Sequence, residues 1–463
     1  MDFGRLEVNL AHWPWARRFR AVFWVLLLLL CSGIAELIPP LQSPDEHSHL
    51  ARAYLVSKGE FTLATPAGSS SGGQVDSQLA AFWTPYLFTI AVDAKARMSD
   101  AETSALQQLR WSQRTQFVAL AGTGYYMPLV YAPQAVGLLA GRALNLTIMH
   151  SYRLTRWCTL LVCILLLAGA VQLHTPNPLV LALLMLPMSL FQLLSPTLDG
   201  MTNCLAVWVL SLFVRTVNQP TPISRLHFSA LGFGVLLLAT SRAQLLPMLC
   251  LPLYLAWQRR SATYFWGTCL VGALTVAWTG YAMYSTVDLR IVRDHSTGEL
   301  VRYYTSTPWA LVDVISASLS NEKLFEFYQH SFIGILGWLD TALPSTAYPA
   351  LWCALLVCGV AAISSNWRAR PAGTRLMLAL LALACATLVF AALLVTWTPY
   401  PAATVQGVQG RYFLVPAILL AYALDATPAG LPRWNINFSR AALAFFGTAS
   451  LYAFIATLVT RYH

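Results

Sequence analysis

The chain has 463 residues, 57% of them hydrophobic and 10% charged, with a mean hydropathy of +0.58, far from the roughly 25% charged composition of a soluble globular domain. Its net charge of +10 does not point to nucleic acid, because the arginines are scattered among short connections with no basic stripe interleaved with aromatics. Positive-inside topology and attraction to anionic lipid account for the charge instead.

Apolar runs recur in chain order at 21–38, 160–173, 179–194, 205–217, 228–239, 265–284, 348–363, 376–397, 414–424 and 441–459. Each is continuous rather than alternating, which predicts helical spans and not barrel strands. The expected fold class is an all-α polytopic membrane protein, with 1–463 forming one integral membrane domain. The first run follows "RRFR", reaches roughly 27 Å at about 1.5 Å per residue, and has no small-x-small cleavage pattern after it, so it is expected to stay as an anchor. All nine cysteines lie in or beside apolar runs and are expected to be small buried hydrophobes, neither disulfides nor zinc ligands.

Arginine clusters orient the chain. Arg17, Arg18 and Arg20, Arg259 and Arg260, Arg368, Arg370 and Arg375, and Arg433 and Arg440 flank apolar runs, and the positive-inside rule places them in the cytoplasm. The connections 39–124, 285–344 and 398–410 then face outward. The two long ones hold 14 of the 19 acidic residues, so any chemistry is expected on the outer face. Between 125 and 257 there are more apolar segments than this parity allows, and one is predicted not to cross. The candidates are "YYMPLVYAPQAVGLLAG", interrupted by prolines, and the short pair 228–239 and 245–257. In the first loop, "SSSGGQ" from Ser69 reads as a flexible turn and "DSQLAAFWTPYLFTIAVDAKARM" as an interfacial helix.

The densest chemistry is "SPDEHSHLAR" at 43–52. Ser43 as N-cap, Pro44 at the first helical position and Glu46 three residues after the cap predict a capping box. On such a helix Asp45, His49 and Arg52 fall on one face. Three readings stand beside each other: a catalytic face, a surface Asp45–Arg52 ion pair, and a divalent-metal site at Asp45, Glu46, His47 and His49. The metal is possible but not favoured, because no second His-containing cluster supplies further ligands. Asp199 in "LLSPTLDGMTN" and Arg242 in "ATSRAQ" interrupt apolar sequence. A charge near membrane depth costs several kcal/mol unless paired or wetted, so together they favour a shared polar cavity. Arg411 in "VQGVQGRYFLVPA" is an arginine at the outer end of a span, against the positive-inside statistics. It is a candidate anion ligand, with Gln409 and Tyr412 beside it, because guanidinium matches phosphate oxygens bidentately; an arginine on lipid headgroups is the alternative. Trp338 in "GILGWLDTALP" reads as an interfacial aromatic, and Asp340 carries only a weak signal.

Four of these segments resemble a large bacterial family of predicted membrane proteins, long described as a domain of unknown function. Its patterns P-D-E-x-x-H-x-x-R-A, S-x-x-x-D-x-x-x-N, G-x-L-G-W and Q-x-R-Y-F-x-P are similar to "PDEHSHLARA" at 44–53, "SPTLDGMTN" at 195–203, "GILGW" at 334–338 and "QGRYFLVP" at 409–416. That family resembles the GT-C superfamily of membrane glycosyltransferases. The resemblance implies a bundle of about 10–12 transmembrane helices, an acidic catalytic residue in the first outer loop, interfacial helices in the long outer loops and a sugar donor carried on polyprenyl phosphate. It assigns Asp45 as first carboxylate, followed by His49 and Arg52, with Arg411 in the late motif. A departure is Arg242, where the family pattern favours lysine.

Residues and resemblance together predict sugar transfer to a cell-surface glycan acceptor at the outer face of a bacterial plasma membrane, with inversion. Asp45 is the expected base and Glu46 a cap or assistant. His49 and Arg52 orient Asp45 or bind substrate, and Arg411 and Arg242 clamp the phosphate, with Asp199, Gln409 and Tyr412 around them. Polymerisation or ligation of polyprenyl-diphosphate glycans is the alternative enzyme. A lipid-linked glycan transporter is the alternative from another class, although no symmetric pair of broken helices supports it.

Overall fold

The computed structural model describes residues 14–112, 114–219, 223–290, 294–364, 372–424 and 433–463. Arg368 and Arg370 lie outside them. The regular secondary structure of the described chain is nearly all helical, with two short two-stranded sheets, and the protein is a polytopic helical membrane protein. Among the described residues, four helices are long and apolar enough to cross a bilayer: α6 (Ile148–Leu173), α9 (Leu198–Asn218), α17 (Ala372–Thr396) and, within α19 (Arg433–Tyr462), the stretch Trp434–Tyr462. Shorter or more polar helices run beside them: α1 (Pro14–Ala35), α10 (Arg225–Ser241), α11 (Cys250–Gln258), α12 (Ala262–Ser285), α16 (Ala347–Ser364) and α18 (Leu414–Ala423). The apolar run 179–194 divides at Pro187, which cannot donate to the preceding turn, into α7 (Pro178–Leu184) and α8 (Pro187–Leu193). Large apolar side chains such as Leu165, Leu270, Val276, Leu356, Leu383 and Phe445 remain exposed, as a lipid-facing surface requires.

Hydrogen bonds sort the helix termini into two ends. At one, Arg259 donates to the carbonyl of Thr216, Tyr264 to that of Ile223, Arg215 to that of Gln172 and Asn177 to that of Ala421. The other end carries both long loops. The first loop contains α2 (Glu46–Ser57), strand β1 (Gly72–Asp76), α3 (Ser77–Pro85), α4 (Asp100–Gln108) and β2 (Thr115–Ala119). β1 pairs antiparallel with β2, Gly73 facing Val118, so the glycines of "SSSGGQ" open a strand rather than a free turn. The segment read as an interfacial helix holds α3 followed by a π-turn over Tyr86–Ile90. The second loop contains α13 (Thr297–Ser306), α14 (Pro308–Ser320), α15 (Glu322–Ile333) and a hairpin of β3 (Ile335–Leu336) with β4 (Thr341–Ala342).

The parity problem is resolved by α5 (Ala132–Ala143), inside "YYMPLVYAPQAVGLLAG". At about 1.5 Å per residue it spans roughly 18 Å, too short to cross. Both its ends stay at the loop end: Gln134 donates to the carbonyl of Thr197 and Arg142 to that of Ser57. Its small face, Gly137 and Gly141, lies directly on Thr155 and Ser151 of α6, the close backbone approach that holds helices together where lipid removes the hydrophobic driving force. Segments 228–239 and 245–257 both run between the two ends, the second as a 3₁₀ stretch Ala243–Leu249 leading into α11. All nine cysteines are free; Cys250, Cys269 and Cys353 are exposed rather than buried as expected, because their helices turn those faces outward.

This arrangement puts Leu144, 66% exposed, and exposed Thr175 at opposite ends of α6. In sealed vesicles of a chain whose native cysteines are replaced, an impermeant thiol reagent applied from one side should label Leu144→Cys or Thr175→Cys but not both. Labelling of both from one side would place α6 wrongly.

Candidate functional site

The site begins with an exchange of roles between two adjacent carboxylates. α2 starts at Glu46, two residues later than the predicted cap implies, and Asp45 occupies the N-cap in the left-handed region at φ 62° without a capping hydrogen bond. The backbone N–H of Ser43 donates to Glu46 at 3.0 Å, but the Ser43 hydroxyl has no partner, so only half of the predicted capping box forms. Glu46 is fully buried. It accepts from the N–H of Leu41 at 3.3 Å and from the hydroxyl of Tyr152 at 2.5 Å, and Tyr152 in turn accepts from Arg156 at 2.7 Å. Glu46, expected as a cap or assistant, therefore spends its carboxylate on tying the loop to α6. Removing Glu46 into this network leaves the Asp45 carboxylate turned outward, its side chain 59% exposed.

Arg52 is likewise held within the first loop. It is 1% exposed, and a buried guanidinium must find acceptors; it takes the carbonyls of Glu60 and Phe61, at 3.4 and 2.7 Å. Because Asp45 precedes the helix at positive φ instead of lying on it, the one-face alignment of Asp45, His49 and Arg52 does not occur. His49 does face the site. Its Nδ1 lies 2.9 Å from the Tyr131 hydroxyl and its ring stacks on Tyr126 at 6.0 Å.

Asp199, Arg242 and Arg411 meet at one point. Asp199, in the first turn of α9, accepts from Arg242 through one oxygen, while its other oxygen lies 3.4 Å from Arg411. Arg411 stands 4.0 Å from Asp45, so two carboxylates and two guanidiniums alternate. Gln192 holds Asp199 at 3.5 Å and is itself held by Asn203 at 3.0 Å. Arg242 donates to Tyr126 at 3.2 Å, and both arginines lie over the Tyr412 ring, at 5.8 and 5.3 Å. Arg411 Nε and Gln409 Oε1 are buried without a partner. Sequence reading missed Tyr126, Tyr131, Gln192 and the Tyr152–Arg156 pair. Only Asn203 left a legible trace, four residues after Asp199 on the same helix face.

Each part is placed by local structure. Arg242 ends α10 in extended conformation, and Arg411 sits in the 3₁₀ turn Gly410–Phe413 that opens α18. Only glycine fits before it: a Cβ at Gly410 would collide with the backbone of Tyr328 and Phe332 in α15, and its N–H donates to Ser331 Oγ at 2.8 Å. Beside Arg242 opens a cavity of about 830 Å³ between the last turns of α10, α12 and α17. Its wall is apolar at Ala282, Met283, Val389, Ala392 and Leu393, and polar at Tyr126, Arg242, Tyr412, Asp288 and His295. Among the described residues no group of three or more His, Cys, Asp or Glu side chains gathers as metal ligands.

Fold and site define a polytopic helical membrane protein with a buried arginine centre beneath one exposed carboxylate. The chain belongs to the family described as Predicted membrane protein (DUF2142), whose model matches residues 28–421. No curated protein and no solved structure matches it.

Burial, together with the nearby Arg242 guanidinium, lowers the His49 pKa to about 4 from 6.5. The folded pKa lies below the unfolded one, so between those values the unfolded chain binds more protons and stability should rise with pH. His49→Gln should flatten that rise in thermal melts between pH 4 and 6.5. Asp199→Asn leaves two buried cations facing one exposed carboxylate and should cost about 3–5 kcal/mol. Adding Arg242→Gln to it should recover part of that loss, a non-additivity that a double-mutant cycle reads directly.

Proposed function

We propose that this protein is a glycosyltransferase that moves a sugar from a polyprenyl-phosphate donor to a glycan acceptor at the extracytoplasmic face of a bacterial plasma membrane. The observation that carries the reading is an exposed carboxylate 4.0 Å from a buried arginine, with a second arginine joined to it through Asp199, beside a cavity with apolar and polar walls. A lipid phosphate needs both kinds of wall, and an acceptor hydroxyl needs a base that water-borne substrate can reach. The resemblance of "PDEHSHLARA" and "QGRYFLVP" to the family motifs supports the same assignment.

In this scheme the acceptor oxygen attacks the anomeric carbon of the donor sugar. Asp45 takes the acceptor proton as the new C–O bond forms. The bond from the anomeric carbon to the phosphate oxygen breaks, and polyprenyl phosphate leaves with the electron pair. The sugar becomes oxocarbenium-like and the phosphate gains negative charge, so a fixed cationic centre is worth more in the transition state than in the ground state. Arg411, with its free Nε, faces that charge, and Arg242 reinforces it. Asp199 keeps the two guanidiniums from repelling one another before substrate arrives. Attack from the face opposite the phosphate inverts the anomeric centre.

The test is sugar transfer by purified protein from a polyprenyl-monophosphate sugar. Asp45→Asn should lower turnover by about 10²–10⁴-fold and Arg411→Ala by about 10²–10³-fold, both in folded protein. Full activity of Asp45→Asn would remove it as the base. Transfer from a diphosphate-linked donor alone would move the protein to the polymerase or ligase class.

A further inference from the structure

Trp338 and Asp340 have no part in the scheme above, yet the segment that carries them touches both of its ends. The hairpin after α15 turns through two left-handed residues, Gly337 at φ 61° and Leu339 at φ 68°. A Cβ at Gly337 would collide with the Asp340 carboxylate, so only glycine allows that carboxylate to fold back beneath the turn. Asp340 is then held by Arg461 of α19 at 3.1 Å, and Arg461 also donates to the carbonyls of Ile90 and Ala96. The turn is thus fixed against α19 and the first loop.

That fixed turn delivers Trp338 onto the Asp45 segment. The indole N–H donates to the carbonyl of Leu41 at 2.9 Å, and its ring stacks on His47 at 5.8 Å and 29°. His47 is closed on another side by Trp83 of α3 at 6.2 Å. Leu41 and Asp45 are both left-handed, at φ 64° and 62°, so the turn they bracket is strained and persists only where its surroundings hold it. Glu46 grips it from the protein side and Trp338 from the loop side. A few residues earlier in the same segment, Ser331, Tyr328 and Phe332 of α15 grip Gly410, the residue before Arg411.

We propose that the second-loop segment 328–341 is a brace that sets the separation between the Asp45 carboxylate and the Arg411 guanidinium, with Trp338 as the positioning residue at the Asp45 end. It does not touch substrate in this role. The catalytic meaning of that separation rests on the function proposed above; the brace itself does not.

The experiment therefore reads the geometry without activity. In a chain whose native cysteines are replaced, Asp45→Cys puts a thiol where the carboxylate stands, and its pKa is measured from the pH dependence of its alkylation rate. A nearby guanidinium lowers a thiol pKa below its ordinary value of about 8.5. Arg411→Ala in that background calibrates the effect and should raise the pKa by about one unit, roughly tenfold less thiolate at a given pH. Trp338→Ala should raise it by a comparable amount while the melting temperature stays in the folded range, and Trp338→Phe, which keeps the stack and loses the N–H, should fall between. An unchanged thiol pKa in folded Trp338→Ala overturns the brace, as does a pKa indifferent to Arg411→Ala. With Asp45 in place, Trp338→Ala should lower kcat about tenfold with donor KM within about twofold, because the base is misplaced and the phosphate site is not. If the unaltered chain transfers no sugar from any polyprenyl-linked donor, the proposed function falls while the thiol measurement still decides the brace.

Discussion

The loop end of this protein is organised around one carboxylate that two arginines share. Asp199, Arg242 and Arg411 are all charged and almost wholly removed from water, with side-chain exposures of 12, 14 and 4%. None of them is affordable alone near membrane depth, where an unpaired charge costs several kcal/mol. They satisfy one another where the start of α9, the end of α10 and the 3₁₀ turn before α18 meet at one point. Those three elements in turn place Tyr126, Tyr412 and the cavity wall. Replacing a buried ion cluster by apolar side chains of similar volume is often neutral or stabilising, so stability alone does not account for the triad.

Around that centre the two adjacent acids of "PDEH" take opposite parts. Glu46 is given four groups to satisfy it, the amides of Leu41 and Ser43, the Tyr152 hydroxyl and the charge of Arg156. Asp45 is given an outward turn and one arginine at 4.0 Å. The rigid partner makes the exposed one precise: with Glu46 locked to α6 and Trp338 closing the loop side, the Asp45 backbone has little freedom left. In the reaction proposed above, a base held this way would need no reorganisation when substrate arrives, which is the condition under which fixed groups lower a barrier most.

The two long loops are not independent covers over the bundle. Ser71 accepts from the N–H of Val287 and donates its own backbone N–H to the carbonyl of the same residue, so the first loop pairs with the start of the second. Trp338 and Arg461 repeat the connection further on. Membership of the family fixes the class as a membrane protein, and these cross-links explain why its recognisable motifs, far apart in the chain, belong to one surface.

The class of this protein was legible in composition and periodicity, because a bilayer demands long apolar helices whatever their order. The loops that carry the acids, and Asp45, Asp199, Arg242 and Arg411 as the odd charges out, were legible for the same reason: charge in apolar sequence has a cost that must be met somewhere. What partner meets it is not local. Asp199 and Arg242 are 43 residues apart, and helical spacing says nothing of which distant end lies opposite. Spacing placed Arg52 with Asp45 on one face, and a single positive φ at Asp45 separated them. Capping statistics read Ser43 as the anchor of α2, whereas buried Tyr152 and Arg156 made Glu46 the anchor. Charge parity predicted that one segment between 125 and 257 does not cross, but only the tertiary contacts that keep both ends of α5 at the loop end identified it. Local physics settled which residues are unusual; tertiary contacts alone settled which of them meet, because desolvation and pairing depend on neighbours that the chain brings from elsewhere.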